Sequence, residues 1–167
     1  EYLEEHGTAI GMNYSQVGYE TAIWACRNSK EPHKAAQDYL KRELKPRYKK
    51  GADWLAFDSV HNTDVKVDCK AAAIAAIVLT GYEPLVLGMS YEPRKKDLGG
   101  HVVFIYKKNG KYGSVGMCNS DYREPVFDST KDIVVDYNHK WHRGKDKKFR
   151  YYTGSSPIKK KYLFKKQ

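Results

Sequence analysis

One uninterrupted apolar segment, residues 71–79, limits the folds open to this chain. It is rich in alanine, a strong helix former; Asp68 is suited to cap the amino end of a helix and Gly81 its carboxyl end. The segment therefore predicts a helix from Cys69 to Thr80. It is much shorter than the roughly 20 apolar residues that cross a bilayer, so we expect the helix to be buried within the protein.

Composition places the chain among folded proteins of ordinary size. Of its 167 residues 41% are hydrophobic and 13% aromatic, which excludes a disordered or collagen-like protein. The three cysteines, Cys26, Cys69 and Cys118, form no Cys-x-x-Cys pair, so we expect neither a disulfide framework nor a structural zinc site. Because free thiols persist in a reducing compartment, we expect a cytoplasmic protein without cofactor, metal or membrane span.

Positive charge is concentrated at the carboxyl end of the sequence. Residues 139–167 contain eleven Lys or Arg and one acidic residue, Asp146, so they carry the whole formal net charge of +10. We therefore divide the chain into a body, residues 1–138, and a basic tail, residues 139–167. Like-charge runs are commonly solvated, which favours a partly flexible tail. The alternative is that the tail, with Tyr151 and Tyr152 among its lysines, binds nucleic acid or another polyanion.

Two helices are expected before the apolar segment. Residues 17–27 have apolar side chains at helical spacing, among them Trp24, and Cys26 is expected to be buried there. Ser29 is suited to be the N-cap of a second helix that ends at Leu44. The inner face of this second helix is expected to consist of Ala35, Ala36, Tyr39, Leu40 and Leu44.

After the apolar segment the pattern changes to strands. Asn109-Gly110 lies between two β-rich runs, His101–Tyr106 and Lys111–Met117, and this dipeptide is the strongest short-range signal for a hairpin. A further short strand is expected at Leu85–Met89, followed by a polar loop, residues 92–100. Helices followed by antiparallel strands predict an α+β fold.

Cys69 is the candidate nucleophile of the chain. At the first turn of a helix, unsatisfied backbone N–H groups and the helix dipole favour a thiolate. A cysteine is more commonly a small buried hydrophobe, but such a residue usually lies in the middle of a helix. His101 follows Gly99-Gly100 at the start of a strand, and it is the candidate base that accepts the thiol proton.

A third polar residue is needed to orient the imidazole. A two-residue turn at Asn109-Gly110 places His101 opposite Cys118, so that Asn119 and Asp121 lie at the same end of the sheet. An asparagine suffices in Cys-His-Asn sites, whereas an aspartate would also stabilise an imidazolium. A bulge would change which side chain faces His101, so both candidates remain open.

The remaining histidines and Cys118 receive weaker interpretations. His139 and His142 are spaced to meet on one helix face, but two ligands in a basic stretch make a poor metal site and solvent exposure is favoured. Cys118 lies next to the candidate site, where it would either form a disulfide with Cys69 or fill space; the second is favoured.

The order of these motifs resembles a known superfamily. VDC opens the Ala-rich helix, GGHVVFIYKKNGKYGSVG follows, and CNSDYREPVF comes next. From Trp54 to Tyr137, about half of the chain, this resembles the transglutaminase-like superfamily of papain-fold cysteine enzymes, and within it small microbial transglutaminase-like cysteine proteinases. The GSVG…YREPVF run is the most specific part of the resemblance.

The resemblance implies a Cys-bearing helix packed on an antiparallel sheet, with Cys69 as nucleophile and His101 as base. Such an enzyme transfers an amide acyl group of a protein or peptide substrate to water, as a protease or amidase, or to an amine, as a transglutaminase. The backbone N–H of Cys69 is the expected oxyanion donor, and the indole N–H of Trp54 a weaker second candidate. The alternative function is a non-catalytic basic module that binds a polyanion through its tail.

Overall fold

The computed structural model describes residues 2–91, 100–142, 149–155 and 158–163. The α-helices of these residues are α1 (Tyr2–His6), α2 (Tyr19–Arg27), α3 (Pro32–Tyr39), α4 (Phe57–Val60), α5 (Cys69–Thr80), α6 (Thr130–His142) and α7 (Lys160–Leu163). The strands are β1 (Val86–Tyr91), β2 (His101–Lys108), β3 (Lys111–Val115), β4 (Arg123–Phe127) and β5 (Phe149–Gly154). Shorter turns of helix cover Tyr14–Gln16, Leu40–Leu44, Lys45–Arg47 and Asn119–Asp121.

Helix α5 confirms the predicted central helix at both ends. The Asp68 carboxylate accepts a hydrogen bond from the backbone N–H of Lys70 at 2.9 Å. At the other end Gly81 adopts a left-handed conformation with φ of 70°, which glycine reaches without strain. Every residue of α5 from Ala71 to Thr80 is buried. None of the described helices is both long and apolar enough to cross a membrane.

The strands form one antiparallel sheet in the order β4-β3-β2-β1-β5. The predicted hairpin is confirmed: Asn109 and Gly110 both have positive φ, and Phe104 pairs with Val115 in the expected register. Strand β3 ends at Val115 rather than at Met117, however, so the sheet does not extend to a pair between His101 and Cys118.

Helices cover both faces of this sheet, which confirms the α+β class. Helix α5 packs on β2 and is itself surrounded by α2 and α3, and this layer contains the larger core. The opposite face carries a smaller core to which α6 contributes Ile133, Val134 and Tyr137. The start of α5 and the start of β2 thereby meet at one end of the molecule.

Two expectations for the amino-terminal helices are wrong. Ser29 is not an N-cap, because α3 begins at Pro32; its hydroxyl instead accepts from the Ala9 N–H at 2.8 Å and donates to the Ala25 carbonyl at 2.9 Å. Trp24 points outward and is 55% exposed. The predicted inner face of the second helix is confirmed, since all of its side chains are fully buried: Ala35, Ala36, Tyr39, Leu40 and Leu44.

The basic segment 139–167 is not a tail throughout. Helix α6 crosses the boundary predicted after residue 138, and β5 pairs with β1 along its whole length, with Tyr152 opposite Gly88. Residues 149–154 therefore belong to the sheet, because an aromatic-rich strand completes the hydrogen bonds of β1. Residues 92–99 of the polar loop expected at 92–100, and several lysines of the basic segment, lie outside the described residues.

Candidate active site

Cys69 is the first residue of α5 and is partly exposed to a cleft of about 340 Å³. As the first helical residue, its backbone N–H has no acceptor within the helix. The same cleft is lined by residues from three other parts of the chain, among them Tyr48, Lys50, His101, Cys118 and Asp121. The sequence separation of these residues shows that the cleft is a product of the tertiary fold.

His101 lies between the thiol and a carboxylate. Its Nε2 donates a hydrogen bond to Oδ1 of Asp121 at 2.7 Å, and the imidazole lines the same cleft as Cys69, which contributes to the raised pKa of His101. Because Nε2 is occupied by Asp121, Nδ1 is the ring nitrogen left for the thiol. The structure thus brings Cys69, His101 and Asp121 together in a Cys-His-Asp arrangement.

The structure distinguishes between the two candidate orienting residues. Asn119 is exposed at the start of a short 3-10 helix, whereas Asp121 at its end is 2% exposed and faces His101. Strand β3 ends before either residue, and the 3-10 turn leads into the antiparallel strand β4, with the Asp121 side chain hydrogen-bonded to His101. The strand register alone did not contain this information.

Asp121 is held by donors other than His101. The hydroxyl of Tyr137 in α6 donates to its Oδ1 at 2.6 Å, and the backbone N–H of Cys118 donates to its Oδ2 at 3.2 Å. Charge-assisted hydrogen bonds of this kind stabilise an ionised carboxylate. Sequence reasoning missed Tyr137, because nothing in the α6 sequence indicates which of its residues reaches the site.

Arg123 contacts Tyr137 and holds it in place. The guanidinium of Arg123 lies over the Tyr137 ring, 3.8 Å from its centroid, and its Nε donates to Oδ2 of Asp136 at 2.7 Å. Its Nη1 donates to the Ser120 carbonyl at 3.0 Å, within the turn that carries Asp121. Arg123 therefore fixes both α6 and the 3-10 turn relative to the sheet.

Gly116 provides the space that Asp121 occupies. A Cβ placed at residue 116 would be 2.5 Å from Asp121 Cβ and 2.7 Å from its Oδ2, distances that real Cβ atoms do not reach. Gly116 is also tied to α3, because its N–H donates to Oε1 of Gln37 at 3.0 Å. Gly116, the second glycine of the GSVG motif, thus has a packing function next to Asp121.

The charges of the site favour an ionised histidine and an ionised aspartate. Burial by itself lowers the pKa of His101, but the hydrogen bonds and charges of Asp121 and Cys69 outweigh it and raise the pKa to about 10. Burial opposes ionisation of Asp121 as well, yet the bonds from His101, Tyr137 and Cys118 hold its pKa below the usual range. The raised pKa of His101 and the lowered pKa of Asp121 are those of an ion pair between the two side chains.

The other proposed site residues lie elsewhere. Trp54, the weaker oxyanion candidate, stacks on Tyr162 with ring centroids 6.1 Å apart and is not among the residues that line the cleft. Cys26 is buried as expected, and burial raises its pKa to about 12, so this thiol is inert. Cys118 is exposed on the cleft, so it does not fill core space as favoured above.

The described residues contain no cluster of three or more His, Cys, Asp or Glu side chains that could hold a metal ion. His139 is exposed on α6, and the side chain of His142 lies outside the described residues. No protein-family model matches the chain, and no curated protein is similar enough in sequence to match it.

Proposed function

We propose that the protein is a cysteine enzyme that transfers the acyl group of an amide in a protein or peptide substrate. One observation carries the proposal: the buried carboxylate of Asp121 holds Nε2 of His101 at 2.7 Å, and both residues line one cleft with Cys69 at the start of α5. A nucleophile, a base and an orienting group within hydrogen-bond reach of one another are the signature of nucleophilic catalysis.

In the acylation step the Cys69 sulfur attacks the carbonyl carbon of the amide. A C–S bond forms, and the π electrons of the carbonyl move onto its oxygen, which accepts a hydrogen bond from the Cys69 backbone N–H. The tetrahedral intermediate collapses as His101 gives its Nδ1 proton to the departing nitrogen and the C–N bond breaks. A thioester on Cys69 and a free amine result.

In the second step His101 accepts a proton from the incoming acceptor. Water as acceptor gives a carboxylic acid and returns the thiol, which is hydrolysis, whereas an amine gives a new amide, which is transamidation. Asp121 keeps the imidazole in one orientation throughout and stabilises its charged form. Both outcomes fit the proposed papain-like, transglutaminase-like arrangement of a Cys-bearing helix on an antiparallel sheet.

An activated ester tests the proposal without knowledge of the natural substrate. We expect p-nitrophenyl acetate to acetylate Cys69, with release of p-nitrophenolate and a mass gain of one acetyl group located by peptide mapping. Cys69→Ala should abolish the reaction and His101→Ala should slow it by about a hundredfold or more. Cys118→Ser is the matched control, since it removes the other exposed thiol of the cleft and should retain the activity.

Two results would contradict the proposal. One is an unmodified Cys69 in the wild-type protein under conditions in which free cysteine is acetylated. The other is an acetylation rate in His101→Ala equal to that of the wild type, which would show that the imidazole does not act on the thiol.

A further inference from the structure

Strand β5 brings Tyr152 to the same face of the sheet as the catalytic helix. Gly88 of β1 pairs with Tyr152 on one side and with Val102 of β2 on the other, so these three residues form one row across the sheet. Partners in an antiparallel pair share a face, and Phe104, two residues along β2 from Val102, belongs to the core formed with α5. Tyr152 therefore projects on the α5 side.

Gly88 allows the Tyr152 ring to lie flat across β1. A Cβ built at Gly88 would be 2.1 Å from Cε1 and 2.6 Å from the hydroxyl oxygen of Tyr152. The outer edge of the phenol thus covers the glycine, and its hydroxyl extends from the edge strand towards the centre of the sheet. Any larger residue at 88 would exclude the ring from this position.

Tyr152 lines a cavity that adjoins the catalytic cleft. A space of about 280 Å³ is lined by Gly88, Tyr152 and His101, and it meets the Cys69 cleft at Gly100 and His101. Burial and the nearby charge of Cys69 raise the pKa of Tyr152. The phenol is therefore protonated at neutral pH, and its O–H can donate a hydrogen bond to a molecule that enters the cavity and reaches the adjoining cleft.

An oxyanion formed at Cys69 needs a second donor. The backbone N–H of Cys69 supplies one, and Trp54, the candidate from the sequence, lies against Tyr162. We infer that the Tyr152 hydroxyl is the second donor, which stabilises the oxyanion as the Cys69 sulfur adds to a carbonyl carbon. This inference rests on the proposed acyl transfer and adds a catalytic residue to it.

Two reactions of the Cys69 thiol distinguish oxyanion stabilisation by Tyr152 from a merely structural role of this residue. Acetylation by p-nitrophenyl acetate passes through an oxyanion: the C–S bond forms, the carbonyl oxygen becomes negative, and p-nitrophenolate departs. Alkylation by iodoacetamide displaces iodide from a tetrahedral carbon and forms no oxyanion. We expect Tyr152→Phe to slow acetylation by about tenfold or more and to leave the alkylation rate within about twofold of wild type.

Two tyrosine variants serve as comparisons. Tyr151→Phe removes a hydroxyl from the next residue of β5, which alternates to the opposite face, is 46% exposed against 44% for Tyr152, and also lines the cavity. It should slow acetylation less than Tyr152→Phe does, and an equal or larger effect would contradict the assignment to Tyr152. Tyr48→Phe removes the phenol on the other side of the cleft. If Tyr48→Phe and not Tyr152→Phe slows acetylation, the assignment to Tyr152 is wrong.

Two further outcomes would contradict the assignment of Tyr152 as the second oxyanion donor. Wild-type acetylation in Tyr152→Phe overturns the inference, and so does an equal loss of acetylation and alkylation, which would mark a structural effect on the thiol. Failure of the proposed function itself looks different, since Cys69 in the wild-type protein would then not be acetylated at all.

Discussion

The Nε2 atom of His101 and the Oδ1 atom of Asp121 lie 2.7 Å apart, although the two residues belong to different elements and are not paired in the sheet. The histidine begins β2, and the aspartate ends the 3-10 turn after β3. Their side chains are 21% and 3% exposed, so the ion pair is shielded from solvent. Most of the chemical behaviour expected of the protein depends on this contact.

Asp121→Asn should reduce the reactivity of the Cys69 thiol. Without the carboxylate the burial of His101 is no longer outweighed, so the pKa of His101 falls and the positive charge in the cleft of Cys69 is lost. We expect the rate of iodoacetamide alkylation at pH 7 to fall by about tenfold or more. Asn119→Ala is the matched control in the same turn and should retain the wild-type rate.

The titration of His101 can be followed directly. Histidine ring resonances in NMR spectra should show His101 changing charge near pH 10 in the wild type and at much lower pH in Asp121→Asn. A wild-type transition near the ordinary value of about 6.5 would contradict the ion pair.

The same ion pair should make stability depend on pH. The pKa of His101 is higher in the folded than in the unfolded protein, so its contribution is complete below about pH 6.5 and is lost as the pH rises through about 10. Asp121 has a lowered pKa, and its contribution is lost as the pH falls towards the acidic range. The free energy of unfolding of the wild type minus that of Asp121→Asn should therefore decrease steadily from pH 6.5 to pH 10.

Urea denaturation at a series of pH values measures this difference. Near pH 6 we expect it to be about 3 kcal/mol, the usual cost of breaking a buried ion pair. The other titratable groups contribute equally to the free energy of unfolding of both proteins, so their contributions cancel in the difference. A difference that stays constant up to pH 10 would show that His101 is not charged by Asp121.

Tyr137→Phe should lower both the stability of the protein and the reactivity of Cys69, although Cys69, His101 and Asp121 are all retained. It deletes the 2.6 Å hydrogen bond to Asp121 but keeps the ring under the Arg123 guanidinium. Loss of a hydrogen bond to a charged group costs about 1.5–3 kcal/mol. We expect a corresponding decrease in the free energy of unfolding, and a smaller fall in alkylation rate than in Asp121→Asn. An alkylation rate lower than that of Asp121→Asn would contradict this order.

Gly116→Ala should displace Asp121. The new Cβ would lie within 3 Å of the Asp121 side chain, so the 3-10 turn must shift away from His101. We expect both the acetylation rate and the stability to fall, the latter by about 1–3 kcal/mol, as for other overpacked sites. Gly18→Ala is the control, because a Cβ at Gly18 meets no atom within 4 Å. Equal rates in the two variants would show that the close approach at Gly116 is not needed.

Local signals in the sequence were sufficient for the elements on which the site is built. The apolar run between Asp68 and Gly81 determined α5 to the residue, because its capping residues and its helix propensity agree. Asn109-Gly110 determined the hairpin and its register, because few residue pairs adopt positive φ at both positions. Cys69 and His101 were recognised from their places at the starts of these elements.

The tertiary structure decided what surrounds them. Asp121 rather than Asn119 faces His101, since the chain leaves β3 at Val115 and a turn of 3-10 helix sets the direction of each side chain. The contact of Tyr137 with Asp121 and the place of Tyr152 in the adjoining cavity depend on how α6 and β5 pack against distant strands. Helix caps and turns are specified by residues that are neighbours in the sequence. Contacts between distant segments form only when the whole core packs, so the periodicity of one segment does not encode those contacts.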